Sequence, residues 1–291
     1  MKIALLVQAH KGPEFIARML EPVRAHAESI DVYLSIDLKS DLSAFKANIE
    51  GAVFIDKRVK IYWSNLSQIM GMLHSFDQIL ETKIAYDYVV FISGQDYFIK
   101  PVSHLISLLE NNKGKEFIEC REFGPSEVNW KVRYSKYHGT HLGKTMQSLL
   151  RIARQLPFPE RKYPLFEMQY GGSAWVNLTL DAVRYCAEFC KKNPDFVKFH
   201  LHTHCPDEFF FQTILMHSPF RESIVNNNYR YIDWRNQKNN PKLLKVEDLD
   251  SFMPSEKIIA RKFDPQVDSE VLDRIDKAIK NWSNPPLVYK H

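Results

Sequence analysis

The chain is short of glycine and cysteine, and it has no glycine-rich phosphate loop. It contains ten glycines and four cysteines in 291 residues. Neither a Gly-x-Gly-x-x-Gly motif nor a Walker-type loop occurs, which excludes the ordinary dinucleotide-binding and P-loop classes. Four cysteines in a chain of this length do not make the disulfide framework of a small secreted domain.

Long apolar runs are also missing. The first run, at residues 3–7, is far below the roughly 20 residues that a membrane span requires, and it is followed at once by polar residues. We therefore expect a protein of the reducing cytoplasm, either free or in peripheral contact with the inner face of a membrane. The basic residues between 131 and 162 are candidates for such a contact, with a solvated face as the alternative.

The charge balance argues against a nucleic-acid partner. Thirty-nine Lys and Arg against 35 Asp and Glu give a net charge of +4, which is spread along the chain and suits a local anionic ligand better than a duplex. Hydrophobic residues at 45% and charged residues at 25% are typical of a folded globular protein. Aromatic residues at 13% fit a large core with aromatic-lined pockets.

Short apolar runs alternate with amphipathic stretches, which predicts an α/β fold with a mainly parallel sheet. The section 121–164 breaks this pattern with clustered basic residues, Trp130 and several prolines, and we expect a long lid there. No internal repeat or low-complexity linker divides the chain, so we expect one domain over residues 1–291. The predicted strands are 3–7, 32–36, 53–55, 59–62, 88–92 and 172–178, and the predicted helices are 13–26, 67–81, 101–111, 179–192, 209–216 (entered at Pro206 or Asp207) and 269–282.

Polar residues follow three of the predicted strands at the point where each strand ends. His10 follows the first strand, Asp37 the second, and Gly94 and Asp96 come just after the strand 88–92. Open α/β sheets bind their ligands at the carboxyl ends of parallel strands. Each of these residues alone also suits a turn, but three strands that end in this way together predict a ligand site.

The segment 199–208 has the densest cluster of chemically active side chains. His200, His202 and His204 would share one face of a strand, and a cysteine and two carboxylates follow, so a zinc site is one hypothesis. The segment has none of the established zinc-motif spacings, however. Asp207 and Glu208 otherwise cap the next helix, whose positive end favours acids. Glu208 precedes three phenylalanines, and an apolar wall there would raise its pKa toward that of a general base.

Two adjacent cations, Arg261 and Lys262, lie between apolar neighbours near the end of the chain. A solvated charge pair is the usual meaning of such a doublet. The alternative is a diphosphate site, because arginine and lysine both suit phosphate oxygens.

In sequence order these residues resemble glycosyltransferase family 14, which comprises the core-2/I-branching β-1,6-N-acetylglucosaminyltransferases, the peptide xylosyltransferases and their bacterial relatives. The resemblance runs through most of the chain and is stronger for the family than for the substrate. The motifs that carry it are Ala-His-Lys at 9–11, Ser-Ile-Asp-Leu-Lys at 35–39, Trp63 with Ser67, Ser-Gly-Gln-Asp-Tyr-Phe-Ile-Lys-Pro at 93–101, Gly-Ser-Ala-Trp at 172–175, Pro-Asp-Glu at 206–208, Tyr-Ile-Asp-Trp at 231–234 and Ala-Arg-Lys-Phe-Asp at 260–264.

The resemblance implies a GT-A type fold. A Rossmann-like nucleotide-binding half, residues 1–120, would continue into an acceptor-binding and catalytic half, residues 121–291. It also implies an inverting transfer from a UDP-sugar to a glycan or lipid-linked oligosaccharide, without a divalent metal or another cofactor. GlcNAc is the favoured sugar, with xylose and glucuronic acid as alternatives.

Roles for individual residues follow from the same resemblance. Glu208 would be the general base that deprotonates the acceptor hydroxyl, Lys262 would neutralise the leaving diphosphate, and Asp37 would read the uracil edge. A leaving UDP needs fixed positive charge, and the Asp-x-Asp of metal-using GT-A enzymes is replaced here by Gly-Gln-Asp at 94–96. The further candidates are His10, Gly94, Asp96 and Trp234 for the donor, Arg261, Lys242 and Arg235 for the second phosphate contact, and Glu119, Arg121, Trp175 and Asp207 for the acceptor.

Two other classes of function stay open. The histidines His200, His202 and His204 would fit a zinc-dependent hydrolase, with Glu208 beside the metal. The aromatic residues would also fit a non-catalytic carbohydrate-binding protein that grips glycan and ignores nucleotides.

Overall fold

The computed structural model describes residues 1–123, 128–139, 148, 160–166, 170–235 and 240–283. The first part of the chain alternates strands and helices as the pattern predicts. Its strands Ile3–Ala9 and Tyr88–Ser93 are almost wholly apolar and buried because both faces of the sheet are covered there. The elements are β1 (Ile3–Ala9), α1 (Pro13–Arg24), β2 (Ile30–Ile36), α2 (Leu42–Asn48), β3 (Val53–Phe54), α3 (Leu66–Glu81), β4 (Tyr88–Ser93), β5 (Asp96–Phe98) and α4 (Val102–Asn111).

The second part has shorter elements and several single 3-10 turns. Its strands are β6 (Glu116–Ile118), β7 (Arg121–Glu122), β8 (Tyr170–Gly171), β9 (Val176–Thr179), β10 (Ile224–Val225), β11 (Arg230–Ile232) and β12 (Ile259–Arg261). Its helices are α5 (Val128–Ser135), α6 (Leu180–Lys192), α7 (Pro194–Phe199), α8 (Phe210–Met216), α9 (Leu249–Phe252) and α10 (Glu270–Lys280), and its 3-10 turns are His200–His202, Pro206–Glu208, Arg221–Ser223 and Val246–Asp248.

A central mixed sheet has the strand order β10-β6-β9-β4-β1-β2-β3. β1 lies parallel to both β2 and β4, so the prediction of parallel strands is correct for this part of the chain. β9 runs antiparallel to β4 and to β6, which the sequence pattern does not predict. The chain therefore enters β9 from the opposite end of the sheet.

Helices cover both faces of the central sheet. Ile3, Leu5 and Val7 of β1 pack on one face with α1, α4 and α10, whereas Ala4 and Leu6 pack on the other face with α3, α6 and α8. Burial of this apolar surface from water is the main force that holds the three layers together.

A small second sheet, with the order β11-β12-β5, brings the C-terminal part of the chain back to the end of β4. β12 pairs antiparallel with β5, and the register places Arg261 opposite Asp96. Two segments about 165 positions apart in the chain therefore meet at the edge where the parallel strands end.

Three predicted features differ in the structure. The strand predicted at 172–178 begins only at Val176, as β9. Residues 59–62 form no strand; this segment is a loop in which the Ile61 amide donates to the Asp37 carboxylate at 3.3 Å. Residues 206–208 form a separate 3-10 turn rather than the first turn of α8. Of the predicted lid, the structure describes β7, α5 and the loop 160–166, whereas residues 124–127, 140–147 and 149–159 lie outside the described residues. Among the described residues, no helix has the length and apolarity needed to cross a membrane.

A buried carboxyl group joins β6 to the start of α6. Glu116 is fully buried, and its carboxylate accepts hydrogen bonds from the Thr179 amide at 2.8 Å and from the Thr179 hydroxyl at 2.6 Å. Burial raises the pKa of Glu116 to about 7, more than these hydrogen bonds lower it. The folded protein therefore keeps a proton on Glu116 that the unfolded chain releases at lower pH.

Because the unfolded chain loses this proton first, the free energy of unfolding should fall as pH rises from about 5 to 8. Glu116→Gln cannot ionise, so we expect E116Q to lose about 1–3 kcal/mol less stability over this range than the wild type. Urea denaturation at pH 5 and pH 8 measures the difference. E110Q, which changes an exposed carboxylate on α4, is the matched control and should behave like the wild type. An identical pH dependence in E116Q would contradict the assignment.

Candidate active site

A large open cavity lies at the carboxyl ends of β1, β2 and β4. Its volume is about 1260 Å³. His10, Asp37 and Gly94, which follow these strands, line it together. Residues from the second part of the chain form the opposite wall. The predicted site residues that line the cavity are His10, Asp37, Gly94, Glu119, Arg121, Trp175, Asp207, Glu208, Trp234, Arg261 and Lys262.

The Pro206–Glu208 turn carries two neighbouring acids into the cavity. Cys205, just before the turn, has a left-handed backbone with φ 48°, and its amide donates to the Ser64 hydroxyl at 3.0 Å. On the other side, the Gly172 amide donates to the Glu208 carbonyl at 2.8 Å. A Cβ on Gly172 would lie 2.0 Å from the Glu119 carbonyl oxygen, so only glycine allows this close approach. The acids thus stand on a turn that is fixed at both ends.

The two acids differ in their partners. Arg133 donates a charge-assisted hydrogen bond to the Glu208 carboxylate. Asp207 accepts a longer hydrogen bond from the Gln68 amide group at 3.4 Å. Burial raises the pKa of Glu208, and the charges of Arg133 and Arg121 oppose that rise. Burial, and then the charge of Glu208, raise the pKa of Asp207. A carboxylate with a raised pKa is a better proton acceptor near neutral pH.

Asp96 is the centre of a buried ion cluster beneath the cavity. Its side chain is fully buried, and Arg261 donates to it at 3.0 Å while the Arg230 Nε lies 3.6 Å away. Asp96 also accepts from the Ser93 amide at 2.6 Å. Trp175 stacks on Phe91 and lies under both guanidinium groups, with ring-to-cation distances of 4.5 and 4.3 Å.

Arg230 is a site residue that the sequence analysis missed. It lines the cavity although its side chain is almost fully buried, and it donates to the Phe91 carbonyl at 3.1 Å. Its Nη1 has no hydrogen-bond partner in the described part of the chain. Burial is the main cause that lowers the pKa of Arg230, to about 10. Its position directly before the 231–234 motif, as the first residue of β11, was the available signal.

Lys262 and Asp37 lie along the same cavity. Lys262 is half-buried, and burial, followed by the charges of Arg261 and Lys11, lowers its pKa. The Asp37 side chain is buried and accepts from the Lys39 amide at 2.9 Å, with the Lys39 ammonium 3.3 Å from its other oxygen. Its carboxylate is therefore already partly satisfied by its own loop.

The structure corrects four of the predicted contacts. Lys242 and Arg235 do not line the cavity, because Lys242 pairs with Asp248 at 2.5 Å and Arg235 pairs with Asp233 at 2.7 Å. Asp96 does not line the cavity either, and it acts on it only through the arginines that it holds. Trp175 lines the cavity but is only 8% exposed, so little of its ring is open to a sugar.

The structure does not bring the three histidines of the predicted cluster together. The segment is a 3-10 turn at His200–His202 and not a strand, so alternate side chains do not share a face. His200 is buried against aromatic rings and bonds the Tyr163 hydroxyl at 3.0 Å, and burial lowers its pKa to about 3. His204 instead bonds the Ser64 hydroxyl. Among the described residues, no group of three or more His, Cys, Asp or Glu side chains could hold a metal ion.

Comparison with known proteins gives several similar glycosyltransferases. Xylosyltransferase 2 of Rattus norvegicus is 26% identical over 308 residues, covering 95% of this chain and 33% of that protein. A beta-1,3-galactosyl-O-glycosyl-glycoprotein beta-1,6-N-acetylglucosaminyltransferase 4 of Danio rerio is 23% identical over 219 residues, covering 73% of this chain and 49% of that protein. The chain spans from about a quarter to about a third of the length of the xylosyltransferases that it matches.

A solved structure of mouse xyloside xylosyltransferase 1 in its apo form has 15% sequence identity and a TM-score of 0.41, covering 89% of this chain and 97% of that one. Residues 3–253 match the family model of the Core-2/I-Branching enzyme, which is most of the chain. With this match and the mixed sheet flanked by helices, the predicted α/β fold of the GT-A type is confirmed. The chain belongs to the Core-2/I-Branching enzyme family of glycosyltransferases.

Proposed function

We propose that this glycosyltransferase moves a sugar, with GlcNAc favoured, from a UDP-sugar to a hydroxyl of a glycan or lipid-linked oligosaccharide. The transfer inverts the anomeric centre and uses no divalent metal. The observation that supports this most is a single cavity lined both by the acid pair Asp207 and Glu208 and by the cations Arg261 and Lys262. Such a cavity can accept a proton from an attacking hydroxyl and stabilise the negative charge of a leaving diphosphate.

Glu208 is the proposed general base. It lines the cavity with its side chain 25% exposed, so an acceptor hydroxyl can reach it. Its burial raises its pKa and so favours proton uptake, while the charge of Arg133 opposes that rise. In this proposal the acceptor oxygen, once deprotonated, attacks the anomeric carbon in line as the UDP leaves. Glu119 and Arg121, with Asp207, are the proposed acceptor contacts on the same wall.

The diphosphate would lie against Lys262 and Arg261. Arg230 adds a second buried guanidinium whose Nη1 has no hydrogen-bond partner among the described residues, and it is a better candidate for the second phosphate contact than Lys242 or Arg235. Asp96 lies where metal-using GT-A enzymes have their metal-binding acids. Its carboxylate is already paired with Arg230 and Arg261. Their guanidinium groups supply the positive charge that a divalent ion would otherwise bring.

The nucleoside would lie over the ends of β1 and β2. Asp37, His10 and Gly94 line this part of the cavity, and a Cβ on Gly94 would crowd the Ala9 Cβ at 2.9 Å. Trp234 is 52% exposed on the cavity wall and offers a ring face to the donor. These assignments, together with a cytoplasmic site of action at the membrane face, form the rest of the proposal.

Replacement of Glu208 by glutamine tests the base. The amide has the shape of the carboxylate but cannot take the proton, so we expect E208Q to cut kcat by about 10²–10⁴-fold while UDP affinity stays nearly intact. Steady-state sugar transfer with UDP-GlcNAc, together with a UDP titration, measures both. E122Q, an exposed carboxylate on the nearby β7, is the matched control and should transfer at the wild-type rate. Wild-type turnover in E208Q would exclude Glu208 as the base.

Replacement of Lys262 by glutamine tests the phosphate site. A lost charged hydrogen bond is worth about 1.5–3 kcal/mol, so we expect the Kd for UDP to rise about 10- to 100-fold in K262Q. Thermal unfolding with UDP measures the affinity, because a ligand that binds only the native state raises its stability. We expect the shift to persist in EDTA and to be unchanged by added Mn²⁺.

K242Q is the comparison for this experiment, because Lys242 is engaged with Asp248 outside the cavity. Its UDP affinity should stay within about twofold of the wild type, far below the change that a lost charged contact produces. A thermal shift that requires Mn²⁺ would contradict the metal-free proposal. Oligosaccharide binding without any thermal shift on addition of UDP would contradict the proposed transfer from a UDP-sugar.

A further inference from the structure

We propose that Arg133 is a positioning residue for Glu208: its guanidinium, fixed on the Trp130 ring, holds the Glu208 carboxylate in its charged form and in place on the cavity wall. This inference rests on the proposed function of Glu208 as general base. Arg133 also lines the cavity, and its side chain is 29% exposed.

The Arg133 side chain is held from behind by an aromatic stack. Its guanidinium carbon lies 4.2 Å from the centre of the Trp130 ring. Trp130 stacks on Phe123 at 4.3 Å and meets Phe209 edge to face at 5.2 Å. Phe209 directly follows Glu208 in the chain, so the ring that carries the arginine also packs on the turn that carries the acid. A planar guanidinium suits both a ring face and a carboxylate, which a lysine does not match.

Backbone hydrogen bonds tie the same two segments together. The His204 amide donates to the Arg133 carbonyl at 2.8 Å, and the His138 amide donates to the His202 carbonyl at 2.9 Å. These bonds join the end of α5 to the chain that leads into the Pro206–Glu208 turn. The separation of Arg133 from Glu208 is therefore set by the backbone as well as by the charges.

The charges around Glu208 come from three elements. Asp207 lies beside it on the same turn, Arg133 faces it from α5, and Arg121 faces it from β7. Burial removes water and so works against the ionised form of Glu208, and the charge of Glu208 in turn raises the pKa of the adjacent Asp207. Arg133 makes the direct hydrogen bond that opposes them. Without it, the balance at Glu208 shifts toward the protonated acid, which cannot accept a proton from the acceptor.

The test is the pH dependence of sugar transfer in R133Q. Since an opposite charge in contact lowers a carboxyl pKa by about one to three units, we expect the acid limb of kcat/KM to move up by about one unit or more. At a pH on the acid limb, kcat/KM should then fall about tenfold or more, and on the plateau above this limb it should return to within about threefold of the wild type. The KM for the UDP-sugar and the UDP thermal shift should not change, which also verifies that the variant is folded.

Two further variants separate charge from structure. R133K keeps the positive charge and should return the acid limb to within about half a unit of the wild type, although it loses the planar fit. K131Q removes an exposed ion pair with Glu160 from the same helix and should leave the pH profile unchanged. An unmoved acid limb in R133Q, or an equal loss of activity at every pH, would overturn the inference. Full activity in E208Q would instead remove the proposed base itself.

Discussion

The fully buried carboxylate of Asp96, between Arg230 and Arg261, is the interaction on which the rest of the site depends. Buried charges are costly unless they are paired and hydrogen-bonded. The buried Asp96 carboxylate therefore needs the two arginines as counter-charges, and the arginines need Asp96 for the same reason. The cluster joins the end of β4 to β12 and sets the position of Lys262, the next residue in the chain. Trp175 supports both guanidinium groups from below. One buried ion cluster thus shapes the cationic side of the cavity, and the acid pair faces it from a separate turn.

The half of the fold built from local patterns could be predicted from the sequence. β1, β2 and β4 are apolar because helices cover both of their faces, and α1 and α3 show the spacing of one buried side. The polar residues at the strand ends, His10, Asp37 and Gly94, meet in one cavity because parallel strands bring their carboxyl ends to one edge. The family could also be identified, since its motifs are short and occur in order.

The features that could not be predicted depend on contacts between residues that are far apart in the sequence. The antiparallel direction of β9 and the pairing of β12 with β5 leave no periodic signal of their own. Lys242 has the expected spacing but pairs with Asp248, whereas Arg230 is buried through its contacts with Asp96 and Phe91, which lie far away in the sequence. The alternating histidines predict a strand, but the segment His200–His202 is a 3-10 turn. Their spacing therefore does not bring them to one face. In each case the local sequence does not specify the strand or side chain that the residues contact.

Because β12 pairs with β5, the site forms only after a late part of the chain has been synthesised. Asp96 leaves the ribosome long before Arg230 and Arg261, since chains are synthesised from the N-terminus. During that interval the central parallel strands can form, but the acid at their edge has no counter-charge and the cationic wall does not exist. Synthesis of β12 therefore allows the second sheet to close and brings Arg261 and Lys262 to the cavity. A nascent chain that stops before residue 259 can hold the first βα layers and still lack Arg261 and Lys262.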